Sequence, residues 1–156
     1  MDKEEVLVNY LIEKKYHITF AESLTAGMLA AKLVNVANAS MVLNESFVTY
    51  SNEAKMKYLN VKKETIDKYT VVSEEVAKEM AIGAAKASNS NIAVTTTGVA
   101  GPTGGSEKTP VGMVCFGFYI NGEVITKTKY FGNIGRNKVR LESTNYAFDE
   151  IVELLK

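Results

Sequence analysis

Several residue types that build common functional sites are nearly absent from this chain of 156 residues. A single cysteine, Cys115, excludes an internal disulfide and a zinc site made of several thiolates. A single histidine, His17, excludes metal sites that need two imidazoles, such as an HExxH motif. We therefore expect no metal and no other cofactor.

Net charge is also lacking, because 18 basic and 18 acidic side chains cancel. Such a chain has no concentrated basic face for duplex nucleic acid, so we expect no nucleic-acid partner. No apolar run approaches the ~20 residues of a membrane-spanning helix. Residues 1–10 carry acids where a signal peptide carries bases. These absences predict a cytoplasmic protein without a membrane partner.

What is present is typical of a folded domain, with 46% hydrophobic and 23% charged residues. The length predicts one domain over residues 1–156. Hydrophobic periodicity and turn residues predict helices at 3–14, 24–34, about 74–88 and 136–155, short helical turns within 51–70, and strands at 17–21, 46–50, 91–97, 111–120 and 123–131. The last two strands form a hairpin at Asn121-Gly122. This order predicts an α/β fold, a three-layer α/β/α sandwich with a mixed, mostly parallel five-stranded sheet.

Polar residues follow three of these strands, and open α/β sheets bind ligands beyond the carboxyl ends of their parallel strands. The first group contains Ser23 and Thr25, where a strand ends and a helix rich in small residues begins. This arrangement is similar to the nucleophile elbow of hydrolases, with helix N–H groups available to an oxyanion. The alternative is that Ser23 or Thr25 only caps the helix, since both residue types favour that position.

The second group contains Tyr50, Asn52 and Lys55. If a helical turn begins at Ser51, Lys55 lies one turn further along. A lysine that is desolvated beside a hydroxyl can act as a base where histidine is missing. Asn52 is a candidate for substrate contact. The alternative is that Lys55 is solvated and Tyr50 fills the core.

The third group is the loop at residues 98–106, which we call the glycine loop and which holds four of the 11 glycines. Unhindered N–H groups in such a loop can bind a phosphate or a carboxylate, although neither a P-loop nor a GxGxxG motif is present. The substrate-binding candidates here are Thr97, Gly98, Gly101, Thr103, Gly104, Gly105 and Ser106. Lys108 is the nearest charge in the sequence. A plain connector is the alternative.

The other notable side chains have simpler interpretations. His17 is expected to pack within its strand, and Cys115 to be buried and unreactive. Arg136 and Arg140, the only arginines, lie one turn apart at the start of the last helix. A helix surface is the simpler interpretation for them, with a phosphate or a neighbouring subunit as the alternative.

Four segments together carry a resemblance to a known family. They are AESLTAG at 21–27, FVTYSNEAK at 47–55, VVSEEVAKEMAIGA at 71–84 and TTGVAGPTGGSEKTPVG at 96–112. In this order they resemble the CinA C-terminal domain family, over about residues 4–153. The resemblance implies a three-layer α/β/α domain in its stand-alone form, and a homo-oligomer. Leu24 and Ala26 depart from the common AESCTGG motif, and Ile134-Gly135-Arg136 stands where many relatives have GDR.

The resemblance also implies an activity. Some members of the family convert nicotinamide mononucleotide to nicotinate mononucleotide and ammonia, a pyridine-nucleotide salvage step. The family's proposed catalytic serine, tyrosine and lysine correspond to Ser23, Tyr50 and Lys55. The expected function is therefore an amidohydrolase with a serine nucleophile, a lysine base and a tyrosine that orients the base or relays its proton. The alternative is a non-catalytic nucleotide-binding or regulatory protein associated with competence or DNA damage.

Overall fold

The computed structural model describes residues 1–156, in which helices and strands alternate as the sequence predicts. The helices are α1 Lys3–Lys14, α2 Met28–Val34, α3 Asn52–Leu59, α4 Lys63–Tyr69, α5 Glu74–Ser88 and α6 Arg136–Leu154, and a short 3₁₀ helix spans Ala39–Met41. The strands are β1 Ile18–Glu22, β2 Phe47–Val48, β3 Ile92–Gly98, β4 Met113–Ile120 and β5 Glu123–Tyr130. No helix combines the length and the apolar character needed to cross a membrane.

All five strands form one sheet in the order β2-β1-β3-β4-β5. β1 pairs in parallel with β2 and β3, whereas β4 is antiparallel to both of its neighbours. Four strands thus run in one direction and β4 alone runs against them. The predicted hairpin is confirmed, because Asn121 and Gly122 both have positive φ, as a type I′ turn requires. The predicted α/β fold with a mixed sheet is confirmed.

Helices cover both faces of the sheet because successive strand residues point to opposite sides. Phe20 packs with Phe148 of α6 in the larger core, under α1, α2 and α6. The next residue, Ala21, packs in the smaller core with Met80 of α5. α5 lies close to the sheet because Gly117 has no side chain: a Cβ there would lie 2.5 Å from the Ala77 carbonyl oxygen.

Two predicted elements have different bounds in the structure. α2 begins at Met28 rather than at residue 24, because Ala26 and Gly27 have positive φ and interrupt the helical path. β2 contains only two residues of the predicted 46–50, because the chain turns away after Val48 to enter α3. Both differences shape the same end of the sheet, where the carboxyl ends of β1, β2 and β3 meet.

Candidate functional site

The three polar groups predicted from the sequence converge on one cavity at the carboxyl ends of β1 and β3. Its volume is about 320 Å³. Nine of the predicted site residues line it: Ser23, Tyr50, Asn52, Lys55, Thr97, Gly98, Gly101, Thr103 and Gly104. The cavity is within the size range of small-molecule sites.

Ser23 and Lys55 form a direct contact that we call the Ser23–Lys55 pair. The lysine Nζ lies 3.1 Å from the serine Oγ and donates a second hydrogen bond, of 2.9 Å, to the Thr49 carbonyl. Lys55 is only 1% exposed, which rules out the solvated alternative. The two side chains thus lie at hydrogen-bond distance, as a nucleophile and its base must. α3 brings the lysine here because the Ser51 hydroxyl caps the helix by accepting from Ala54 N–H.

The surroundings of the amine favour its neutral form. Both acceptors of Lys55 Nζ are uncharged, and no salt bridge to a carboxylate offsets the burial. Burial lowers the pKa of Lys55 from 10.5 to about 8, because desolvation penalises the ammonium form. A neutral amine at hydrogen-bond distance from a serine hydroxyl can accept its proton, as a general base must.

The N–H groups at the start of α2 are not available to an oxyanion, contrary to the sequence-based expectation. The Glu22 carboxylate is fully buried and accepts hydrogen bonds from Leu29 N–H at 2.9 Å and Ala30 N–H at 3.2 Å. Thr25 is fully buried as well, and its hydroxyl donates to Glu22 at 2.7 Å. Thr25 therefore supports Glu22 beneath the cavity and does not line the cavity. Neither Thr25 nor Ser23 acts as a simple helix cap.

Another backbone donor is available beside the serine. Leu24 lines the cavity, and its N–H donates to no backbone carbonyl. The N–H of the residue after the nucleophile serves as an oxyanion donor in serine hydrolases with a nucleophile elbow. The Leu24 carbonyl accepts a 2.7 Å hydrogen bond from Arg140 Nε, which fixes the backbone at this point.

Tyr50 lies at the cavity, but its hydroxyl forms no hydrogen bond with Lys55. Its hydroxyl accepts a 2.9 Å hydrogen bond from Arg136 Nη2, and the side chain is 60% exposed. Arg136 Nη1 also donates to the Gly101 carbonyl at 2.9 Å. The expectation that Tyr50 orients the lysine is therefore wrong for this geometry, as is a core position for its ring. Arg136 connects α6, the glycine loop and the segment between β2 and α3 instead of lying on a free helix surface.

The first part of the glycine loop faces the cavity and the last part does not. The N–H groups of Ala100, Gly101, Thr103 and Gly104 donate to no backbone carbonyl. Gly105 and Ser106, both predicted to bind substrate, lie outside the cavity lining, and the Ser106 hydroxyl bonds to Thr109. A ligand therefore meets the loop between residues 98 and 104.

Charge and shape in the loop also differ from expectation. Arg136, rather than Lys108, is the cationic residue that lines this side of the cavity. A side chain at Gly101 would collide with Val111, and φ there is +81°, so the glycine is required by the loop itself. Gly104 is more open, since a Cβ would meet only Val99 at 3.8 Å.

Sequence reasoning missed one part of the site and gave another only as an alternative. Arg136 is distant in the sequence from the strands whose ends form the cavity. Only the scarcity of arginine in the chain drew attention to this residue. The segment Thr70–Val72 also lines the cavity, although none of its residues was a site candidate and only Thr70 lay within the predicted region of helical turns. His17 lies near the start of β1, away from the cavity, and Cys115 is buried as expected.

Comparison with known proteins identifies the family. The family model described as the CinA C-terminal domain matches residues 1–155. The chain belongs to the CinA C-terminal domain family. A CinA-like protein of Kosmotoga olearia is 48% identical over 94% of this chain, and a Clostridium botulinum protein named for competence-damage induction is 49% identical over 98% of it. The chain spans 35% and 37% of the length of these two relatives.

Solved structures of CinA proteins have the same fold over most of their length. The competence/damage inducible protein CihA from Agrobacterium tumefaciens is 36% identical, with a TM-score of 0.94, and the match covers 100% of this chain and 97% of that one. A CinA superfamily protein from Escherichia coli is 33% identical with a TM-score of 0.94, over 97% of this chain and 88% of that one. The family resemblance predicted from the four motifs is confirmed.

Proposed function

We propose that this protein hydrolyses the carboxamide of nicotinamide mononucleotide to nicotinate mononucleotide and ammonia. The observation that carries this proposal is the Ser23–Lys55 pair, with its 3.1 Å contact inside the cavity. A serine hydroxyl beside a buried lysine is an arrangement for nucleophilic attack on an acyl carbon, and a carboxamide is such a group. The resemblance to a family that includes such amidohydrolases also favours this substrate.

In the first half of the reaction, neutral Lys55 accepts the hydroxyl proton as Ser23 Oγ attacks the carboxamide carbon. The tetrahedral intermediate places its negative oxygen near Leu24 N–H. The C–N bond then breaks as the Lys55 ammonium returns the proton to nitrogen, and ammonia leaves. The products of this half are free ammonia, an ester of Ser23 and a neutral lysine.

In the second half, water replaces the serine as nucleophile. Neutral Lys55 accepts a proton from water, and the hydroxide attacks the ester carbon. Collapse of the second intermediate breaks the bond to Ser23 Oγ, which takes back the proton from Lys55. The product acid gives its remaining proton to the released ammonia and departs as the carboxylate, and the Ser23–Lys55 pair is restored without help from a histidine.

The phosphate of the substrate binds at the glycine loop in this proposal. A protein of zero net charge has no overall field to attract an anion, so attraction must be local. Arg136 uses two of its five N–H donors within the chain, and the N–H groups of Gly101 and Gly104 have no backbone acceptor. These groups can hold the phosphate while Ser23 faces the carboxamide.

Ammonia release by the purified protein tests the function. We expect release from nicotinamide mononucleotide, loss of at least about 10³-fold in kcat for Ser23→Ala, and loss of activity for Lys55→Arg, because arginine cannot act as a base. Ser106→Ala and Lys57→Arg are the matched controls, since both side chains are exposed outside the cavity. Free nicotinamide, which lacks ribose and phosphate, should have a far lower kcat/KM.

Two outcomes would contradict the proposal. Full activity of Ser23→Ala or Lys55→Arg would remove these residues from the chemistry. Tight binding of nicotinamide mononucleotide without any ammonia release would favour the non-catalytic alternative, a nucleotide-binding or regulatory protein.

A further inference from the structure

One side of the cavity is apolar and has no part in the chemistry described above. Val71, Val72 and Val99 line the cavity and pack on the small cluster that contains Ala77 and Cys115. We call these three valines the valine wall. The Ser23–Lys55 pair lies on the β1 and β2 side of the cavity, whereas the wall lies on the β3 side. A molecule in the cavity therefore meets polar groups on one side and aliphatic groups on the other.

The turn that carries Val71 and Val72 has a strained backbone. The residue before them, Thr70, has φ 72° and ψ 162°, a conformation that is essentially restricted to glycine. A β-branched residue is strained there, and such strain persists only where surrounding contacts enforce it. Strained residues cluster at ligand sites, and Thr70 lines the cavity.

Three hydroxyl groups hold the turn in place. Ser73 donates to the Thr70 carbonyl at 2.8 Å and also caps α5 by accepting from Val76 N–H. Thr97, at the end of β3, donates to the Val71 carbonyl at 2.9 Å. Thr70 itself donates to the Val72 carbonyl at 3.3 Å. The positions of Val71 and Val72 are thus set from α5 and from the sheet, independently of Arg136, and Val99 joins them from the start of the glycine loop.

We propose that the valine wall, held by the strained Thr70–Ser73 turn, is the specificity-determining surface that receives the flat face of an aromatic ring. An aliphatic surface suits the face of a ring, and burying a ring removes a large apolar area from water. In the proposed substrate this is the ring that carries the carboxamide, so the wall contributes to the recognition of the ring and not of the ribose or the phosphate. The reaction in this inference rests on the proposed function, whereas the binding of a ring rests on the cavity alone.

Ligand binding to the Ser23→Ala variant tests the wall without turnover. Nicotinate mononucleotide carries a ring, ribose and phosphate, whereas ribose 5-phosphate carries no ring, and calorimetry gives a Kd for each. We expect nicotinate mononucleotide to bind at least 10-fold more tightly than ribose 5-phosphate. Introducing Val72→Thr, which keeps the shape but adds a hydroxyl, should raise the Kd of nicotinate mononucleotide about 5- to 10-fold and change that of ribose 5-phosphate less than 2-fold.

Val61→Thr is the matched control, because Val61 is also buried but belongs to the core beside α3 and α5. It should leave both Kd values unchanged. Equal loss of affinity for both ligands on Val72→Thr, or equal affinity of the parent for both, or no binding of either, would overturn the proposal. Ring-dependent binding by a wild-type protein that releases no ammonia would support the wall while contradicting the proposed reaction.

Discussion

Lys55 combines full burial with two uncharged acceptors, and this combination determines how its chemistry depends on pH. The reactive form in the proposed mechanism is the neutral amine, and burial lowers the pKa of Lys55 to about 8. At a pH of about 7, roughly one molecule in ten then holds the neutral form.

The pH profile follows from this shift. We expect kcat/KM to rise with pH through an apparent pKa of about 8 and to level off above it, because deprotonation of Lys55 creates the base. Steady-state rates between about pH 6 and 9.5 measure the profile, with Lys57→Arg as a variant that should follow the same curve. A flat profile over this range would assign the base to another group.

The same burial lowers the stability of the protein. Below pH 8 the folded state holds a protonated, desolvated amine at a cost on the order of 3 kcal/mol relative to the unfolded chain, whose lysine keeps the pKa of 10.5. The Thr49 hydroxyl nearby is also buried without a partner, which adds to the cost of this site.

Lys55→Met should therefore stabilise the protein while removing its activity. At a pH of about 7 we expect the free energy of unfolding in urea to rise by about 1–2 kcal/mol, after the loss of two hydrogen bonds. Between about pH 8 and 10.5 the unfolded wild-type chain binds more protons than the folded one, so the stability of the wild type rises with pH. The difference in the free energy of unfolding between the variant and the wild type therefore narrows over this range. A variant less stable than wild type at neutral pH would refute this account.

At the scale of elements, Arg136 joins three parts of the site that are distant in sequence. Its planar guanidinium reaches the Gly101 carbonyl and the Tyr50 hydroxyl at once, each at 2.9 Å. An ammonium group cannot reproduce this fork, although it keeps the charge.

Arg136→Lys should consequently raise KM for nicotinamide mononucleotide about 10-fold and change kcat much less, because the loop that holds the phosphate loses its anchor. Lys138→Arg, an exposed change in the same turn of α6, should have no effect. Steady-state kinetics at saturating and limiting substrate separate the two parameters. An unchanged KM would mean that the loop keeps its position without the arginine.

The local sequence predicts elements well where the controlling residues are close together. Ser73 caps α5 and Asn121-Gly122 forms the hairpin, both as predicted, because each signal acts within a few residues. Ser23 and Lys55 were found because both follow strands whose carboxyl ends share one edge of a parallel sheet. The start of α2 was mispredicted because Ala26 and Gly27 have positive φ, and the Glu22 side chain, from outside the helix, accepts the N–H groups of the later start.

Tertiary contacts decide the remaining features, and no local pattern reports them. Arg136 contacts Tyr50, which is far from it in the sequence. The Tyr50 side chain, expected beside Lys55, is therefore held by Arg136 instead. Thr70 adopts a backbone conformation that its own residue type disfavours, because Ser73 and Thr97 enforce it. Such positions contradict local preference and are found at functional or strained sites.

At the scale of the whole molecule, the expected homo-oligomer needs a surface through which its subunits contact each other. The small residues of α5 are not available, since Gly83 packs against the backbone of Leu59 and the helix is buried between α3 and the sheet. The face shared by α2 and α6 remains, where Val34 and Leu141 are about half exposed.

We expect at least a homodimer through this face at micromolar concentration. Light scattering after size exclusion should give twice the 17.1 kDa chain mass or more, and Leu141→Glu should reduce it to the monomer mass. Tyr69→Glu, on α4 at the opposite face of the sheet, should leave the assembly intact. A monomer in the wild type would contradict the expectation.

The order of the strands also determines when the cavity is built as the chain folds. β4 and β5 are joined through a two-residue turn, so their pairing closes only a short loop. β1 must instead find β3 from far away, since Ser23 and the Thr96 that supports its N–H are 73 residues apart. Long loops close slowly, and parallel pairing comes late for that reason. We therefore expect the cavity between β1 and β3 to be among the last features to form, so that a chain that has most of its helices and its hairpin still lacks the complete site.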